Sequence, residues 1–179
     1  GVVVKEDGLV GALPAVFDQR IPDEQMKEFT VIVAHEDRDA EELEADFLGR
    51  DERASLAYLR PKAEQSKGSS GGDAAKSQAP RKWKPIKFEE VAVQIGQPVY
   101  SDGILPEMAN YKPYFMESAV AAKLRGETPQ VLVNGGLASG GAPVFNADGK
   151  ALGMVAWQPG QPVFLNNEQQ GGNPLASIL

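Results

Sequence analysis

The sequence predicts an all-β fold, and three observations carry that expectation. First, in residues 130–157 an apolar run (Val131, Leu132, Val133) enters a glycine-rich turn. Pro143-Val144-Phe145 leaves that turn, reverses at Asn146-Ala147-Asp148-Gly149 and returns through residues 151–155. Two β-rich runs joined by an Asp-Gly turn read as a hairpin. Second, residues 1–10 repeat the strand–turn–strand form around Asp7-Gly8. Third, Thr30-Val31-Ile32-Val33 is a β-branched run, and Val91, Val93 and Ile95 alternate as strand residues do. The glycines ahead of the hairpin (Gly135, Gly136, Gly140, Gly141) suit a loop whose backbone takes positive φ and approaches something closely.

Composition narrows the classes. At 179 residues and 42% hydrophobic content, the chain is long enough for one ordinary domain or two small fused barrels, with a packed core. A net charge of −7 argues against nucleic-acid binding. No apolar run approaches the ~20 residues of a membrane span. There is no cysteine, hence no disulfide framework and no thiolate metal site. The chain begins at Gly1 and shows no signal peptide, so it reads as an excised piece, truncated at its termini, with any targeting segment outside it.

In order along the chain, residues 18–29 are polar and turn-like, and residues 30–34 form a strand. His35, the single histidine, opens a charged hairpin tip with Glu36, Asp37, Arg38 and Asp39. One histidine among charges reads as a solvated surface residue, since a metal site wants further histidines or cysteines. The nearby carboxylates lack the spacing of an EF-hand and read as a solvated acidic face. Residues 61–85 are a flexible Gly/Ser/Lys-rich linker loop without apolar periodicity. Residues 118–125 hold good helix formers and stay open between helix and strand. Tyr111, Tyr114 and Phe115 read as local packing. The tail, residues 158–179, is turn-rich, with a strand expected at 162–165.

Three separated stretches, in chain order, resemble trypsin-fold serine peptidases, and the HtrA-like branch in particular. The family opening G-x-V-[IV]-x-x-D-G-x-[IV]-[LV] is matched by Val2, Val3, Val4, Asp7, Gly8, Leu9 and Val10. Ala45, Phe47, Leu48, Gly49, Asp51, Leu56, Ala57 and Leu59 fall in register with the family pattern A-x-[VL]-[VI]-G-x-D-x-x-x-D-[LI]-A-[LV]-L. The nucleophile loop G-N-S-G-G-P-[LV]-x-N-x-x-G is matched in its second half by Pro143, Val144, Asn146 and Gly149. The resemblance implies two six-stranded antiparallel Greek-key β-barrels. It divides the chain into an N-terminal barrel (residues 1–60), the linker loop (61–85) and a C-terminal barrel carrying the nucleophile loop (86–179).

The same alignment implies a catalytically degenerate member. The family histidine falls on Ala15, the aspartate that orients it on Ser55 and, without a gap, the nucleophile on Gly140. A one-residue slip restores Ser139 as nucleophile at the cost of an inserted Ala142. A serine without an adjacent base is a poor nucleophile, and the aspartate has no imidazole left to hold. The leading expectation is therefore a non-catalytic trypsin-fold protein that binds a peptide or protein, with no cofactor and no metal. By analogy, Met154, Val155, Ala156 and Trp157 pair with an extended ligand, and Ala138 to Gly141 offer backbone N–H groups as an anion nest. Trp157 stays open between a pocket cap and a packed residue. Two alternatives stand: an active serine endopeptidase using Ser139 with His35 and Asp51, and a purely structural all-β module. The resemblance also implies an extracytoplasmic or periplasmic setting.

Overall fold

Apolar–polar alternation sets the strands of the first half. β1 (Val2–Val3) and β2 (Val10–Ala12) flank the Asp7-Gly8 turn. There Asp7 Oδ1 accepts the Leu9 N–H at 3.1 Å, and Gly8 takes a φ of +85° that suits glycine. β3 (Phe29–Val33) pairs with β4 (Glu41–Asp51), which turns through residues 52–55 into β5 (Leu56–Pro61). Along β4, Leu43, Ala45 and Phe47 are drawn inward while Glu42, Glu44, Asp46 and Leu48 are exposed, the period of a half-buried strand. The computed structural model describes residues 1–18, 20–62, 81–125, 130–156 and 177–178, with the backbone alone at 15, 177 and 178. Most of the expected linker loop, Trp157 and the strand expected at 162–165 lie outside the described residues.

The sheet order is β1-β2-β5-β4-β3, all antiparallel. Three hairpin-linked strands, with β2 brought beside β5 by a long connection, make a Greek key. Five strands form this sheet among the described residues, where a six-stranded barrel was expected. Beside β1 the chain returns as far as one bond, from Ile86 N–H to the Val3 carbonyl at 2.8 Å.

The second half closes. β6 (Pro98–Ile104), β7 (Pro113–Leu124) and β8 (Gln130–Asn134) run as consecutive hairpins, and β9 (Pro143–Asn146) lies beside β6. β10 (Ala151–Ala156) and β11 (Ser177–Ile178) complete a closed barrel in the order β10-β11-β8-β7-β6-β9. Residues 118–124, rich in helix formers, belong to β7. Strands on both sides take up their backbone groups, and Val120, 2% exposed, fills the barrel core. Tertiary pairing overrides local propensity here. The described residues are all-β apart from three short 3-10 turns, and no helix among them is long and apolar enough to cross a membrane.

Each half has its own core. In the first, Val10, Ala12, Phe17, Met26, Ala45, Ala57 and Leu59 are buried, and Phe17 meets the rings of Phe29 and Phe47 edge-on at 5.4 and 5.3 Å. In the second, Val99, Val120, Val133 and Val144 are joined by Leu137, Ala138 and Ala142 of the glycine-rich loop. Residues 86–89 strap the halves together: Ile86 bonds β1, while Phe88 and Glu89 meet β10 at Ala151.

The β9–β10 turn is held by one side chain. Asn146 is 5% exposed, and its Oδ1 accepts the N–H groups of Asp148 (3.0 Å) and Lys150 (2.9 Å), while Gly149 takes φ +75°. Both amides lie near solvent and can turn to water when the side chain is cut. Asn146→Ala is therefore expected to cost about 1–2 kcal/mol, seen as a lower urea midpoint at unchanged slope.

Candidate functional site

The glycine-rich loop, residues 135–142, folds back into the second core rather than standing clear of it. Leu137, Ala138 and Ala142 are buried, while Gly136, Ser139 and Gly140 are exposed. Gly135 and Gly141 take φ of +111° and +82°, conformations that a side chain resists. The loop amides are largely committed. Ala138 N–H donates to Ser101 Oγ at 2.9 Å, a hydroxyl with no exposed surface. Gly141 N–H donates to the Val155 carbonyl at 2.7 Å, and Ala142 N–H to the Ser139 carbonyl at 3.0 Å. Two of the four N–H groups expected to form an anion nest, those of Ala138 and Gly141, are thus spent inside the fold.

The three positions that the sequence resemblance assigned to the triad are Ala15, Ser55 and Gly140. Ala15 sits in the short 3-10 turn Pro14–Val16. Ser55 ends the β4–β5 turn with φ +50°, a strained setting for a residue with a side chain. Gly140 follows Ser139 at the loop surface. Ser139 Oγ lies 3.5 Å from the Tyr114 hydroxyl. Asp51 Oδ1 accepts the Arg53 and Ala54 N–H groups at 2.9 and 3.1 Å and so builds its own turn. His35 is not the solvated residue expected. Its side chain is 20% exposed, with Nε2 3.0 Å from Glu41 Oε1 and 3.1 Å from Arg38 Nη2. The pairing of Val33 with Glu41 brings that carboxylate beside the histidine, where Arg38 and Arg81 also reach it. Among the described residues no hydrogen bond links any two of Ser139, His35 and Asp51.

A cavity of about 190 Å³ opens where the halves meet. Leu13, Ala54, Ser55 and Leu56 come from the first half, Phe88 from the strap, and Leu152, Gly153 and Met154 from β10. Among the described residues no titratable side chain lines it. Of the residues singled out from sequence, Ser55 and Met154 are brought together here. Ala138, Gly141, Val155 and Ala156 are buried. β10 pairs on one side with β9 through Met154 and on the other with β11 through Val155 and Ala156. Among the described residues no group of three His, Cys, Asp or Glu side chains is placed to hold a metal ion.

Two contributors escape sequence reading. Ser101 holds the loop amide, and its one signal is position: it shares the inward face with Val99 and Gly103, two residues away on either side. A buried hydroxyl there needs a partner. Phe88 lies in a stretch with no strand of its own, and only the tertiary strap carries it to the cleft.

No protein-family model matches this sequence, and no curated protein does. Solved structures match. The MamO protease domain from Magnetospirillum magneticum, in its apo form, superposes with a TM-score of 0.61 over 99% of this chain and 80% of its own, at 18% identity. The chain has a trypsin-like protease fold. Deg5 gives a TM-score of 0.60 at 15% identity, covering 87% of this chain and 72% of its own. At these identities the likeness concerns the fold, and the chemistry must be argued from the residues in place.

Proposed function

We propose that this trypsin-like domain is a non-catalytic binding module that captures a polypeptide by an apolar side chain in the cleft between its halves. One observation carries the reading: the cleft contains Ser55, the position aligned with the family aspartate, yet is lined otherwise by Leu13, Leu56, Phe88, Leu152 and Met154 among its side chains larger than alanine. Acyl transfer needs a nucleophile, a base in hydrogen-bond reach and oxyanion donors. The sole imidazole is engaged with Glu41, and one of the loop donors with Ser101. An apolar cavity of this kind instead favours burial of a side chain from water. The doubly paired β10 leaves side-chain capture in the cleft as the better-supported mode than backbone addition along residues 154–156. The boundaries 1–60, 61–85 and 86–179 are retained in this reading as first half, linker and second half.

The test has two arms. A fluorophosphonate probe, mapped by mass spectrometry beside an active serine peptidase, is expected to leave Ser139 unlabelled; stoichiometric labelling there overturns the non-catalytic reading. Fluorescein-labelled unfolded casein is expected to bind without being cut. Phe88 is 41% exposed, so Phe88→Ala removes a cleft wall with little risk to the fold and is expected to weaken binding about tenfold. Unchanged affinity in that variant removes the cleft from consideration and favours a structural module.

A further inference from the structure

The β6–β7 hairpin tip builds a second concavity, away from the apolar cleft. Glu36 of the β3–β4 tip and Asp102, Lys112, Pro113, Tyr114 and Phe115 of the hairpin line a groove of about 530 Å³. The two tips are fastened to each other. The Lys112 ammonium donates to the carbonyls of Arg38 (2.9 Å), Glu36 (3.3 Å) and His35 (3.4 Å), and Asn110 Nδ2 donates to Asp39 Oδ1 at 2.7 Å. Asn110 and Tyr111 both take φ +52°. Such a conformation in an aromatic residue is costly and persists where the surroundings impose it. The groove is therefore held in shape before any ligand arrives.

Its chemistry is that of a cation receptor. The carboxylates of Asp102 and Glu36 form no ion pair or side-chain hydrogen bond among the described residues. Lys112, the one cation in the lining among the described residues, has its ammonium directed at three carbonyls instead. On the outward face of the barrel Asp102 stands directly opposite Phe115. The Phe115 ring, 61% exposed, stacks on Tyr100 at 5.5 Å with planes 19° apart, which fixes it and leaves surface open beside the carboxylate. Desolvation first, then the Glu107 and Glu42 carboxylates, raises the Tyr111 phenol above its ordinary pKa. Ile104, Leu105 and Met108, the last 95% exposed, add apolar surface at the same end.

We propose that this groove receives an arginine side chain from a basic, partly apolar segment of a protein partner, with Asp102 and Glu36 meeting the guanidinium and Phe115 packing beside it. A guanidinium pairs with carboxylates through a planar fork and stacks on an aromatic face, and the groove offers both. The apolar residues at its end then fit aliphatic side chains flanking the arginine. The pairs are solvent-exposed, so binding is expected to be weak and to fall as salt rises.

The experiment uses a fluorescein-labelled octapeptide of alternating arginine and leucine, a control with glutamate in place of arginine, and fluorescence anisotropy. The arginine peptide is expected to bind and the glutamate peptide not. The double change Asp102→Asn with Glu36→Gln, and separately Phe115→Ala, are each expected to weaken binding about tenfold. Glu24→Gln, an exposed acid outside the groove, is expected to change nothing. Unaltered melting temperatures confirm that the variants fold. Equal binding of both peptides, full affinity in the double variant, or an equal loss in Glu24→Gln overturns the proposal, the last by reducing the effect to bulk charge. Self-association of the protein that Phe115→Ala abolishes also overturns it, because the face then belongs to a second copy.

Discussion

Phe17→Ala is expected to lower the stability of the folded chain by about 3–5 kcal/mol, a large share of the ~5–15 kcal/mol that holds a domain together. Phe17 closes the turn Pro14–Val16 and is 9% exposed. Its ring sits edge-on between Phe29 of β3 and Phe47 of β4, so truncation removes buried apolar area and two favourable aromatic contacts at once. The cavity left behind borders a sheet that cannot close over it without breaking strand pairing. Phe17→Leu fills most of that space and is expected to lose only about 1–2 kcal/mol. Urea denaturation of the three proteins measures the series. A loss under about 1 kcal/mol for the alanine variant would show that the segment carrying Ala15 is not part of the first core.

Gly103→Ala is expected to cost about 2–3 kcal/mol, the upper end for one added methyl in a packed site. Gly103 does not sit at positive φ, so the cost is steric rather than conformational. A Cβ there would stand 2.4 Å from Tyr114 Cζ and 2.5 Å from Cε1. Gly103 and Tyr114 are direct cross-strand partners, and the ring lies over the bare glycine. The tyrosine packs on the second core and its hydroxyl approaches Ser139 Oγ at 3.5 Å, so displacing it disturbs both the glycine-rich loop and the groove that Tyr114 helps to line. Tyr114→Leu relieves the clash, and the double variant is expected to be more stable than the sum of the single losses by about 1–2 kcal/mol. Strict additivity in thermal or urea unfolding would mean that the ring does not cover the glycine.

Much of the backbone path is legible because its signals are local. Asp7-Gly8 and Asn146 to Gly149 dictate their turns through side-chain caps and glycine conformations that any context requires. Alternation along β4 marks which residues face the core. β7 is the exception: its alanines and Lys123 favour a helix in isolation, and only β6 and β8 on either side make it a strand.

What the sequence by itself determined is an all-β chain with fixed turns and alternating strands. What the tertiary structure decided is which polar groups are already spent and which surfaces are brought together. The Ala138 amide meets Ser101 across 37 positions, His35 acquires Glu41 through strand pairing, and Lys112 reaches the carbonyls of residues 35, 36 and 38 from the other half. Ser55, Phe88 and Met154 share one cavity although long stretches of chain separate them. Hydrogen bonding and burial act over a few ångströms in space and not along the chain, so contacts between distant segments leave little trace in any single stretch of residues.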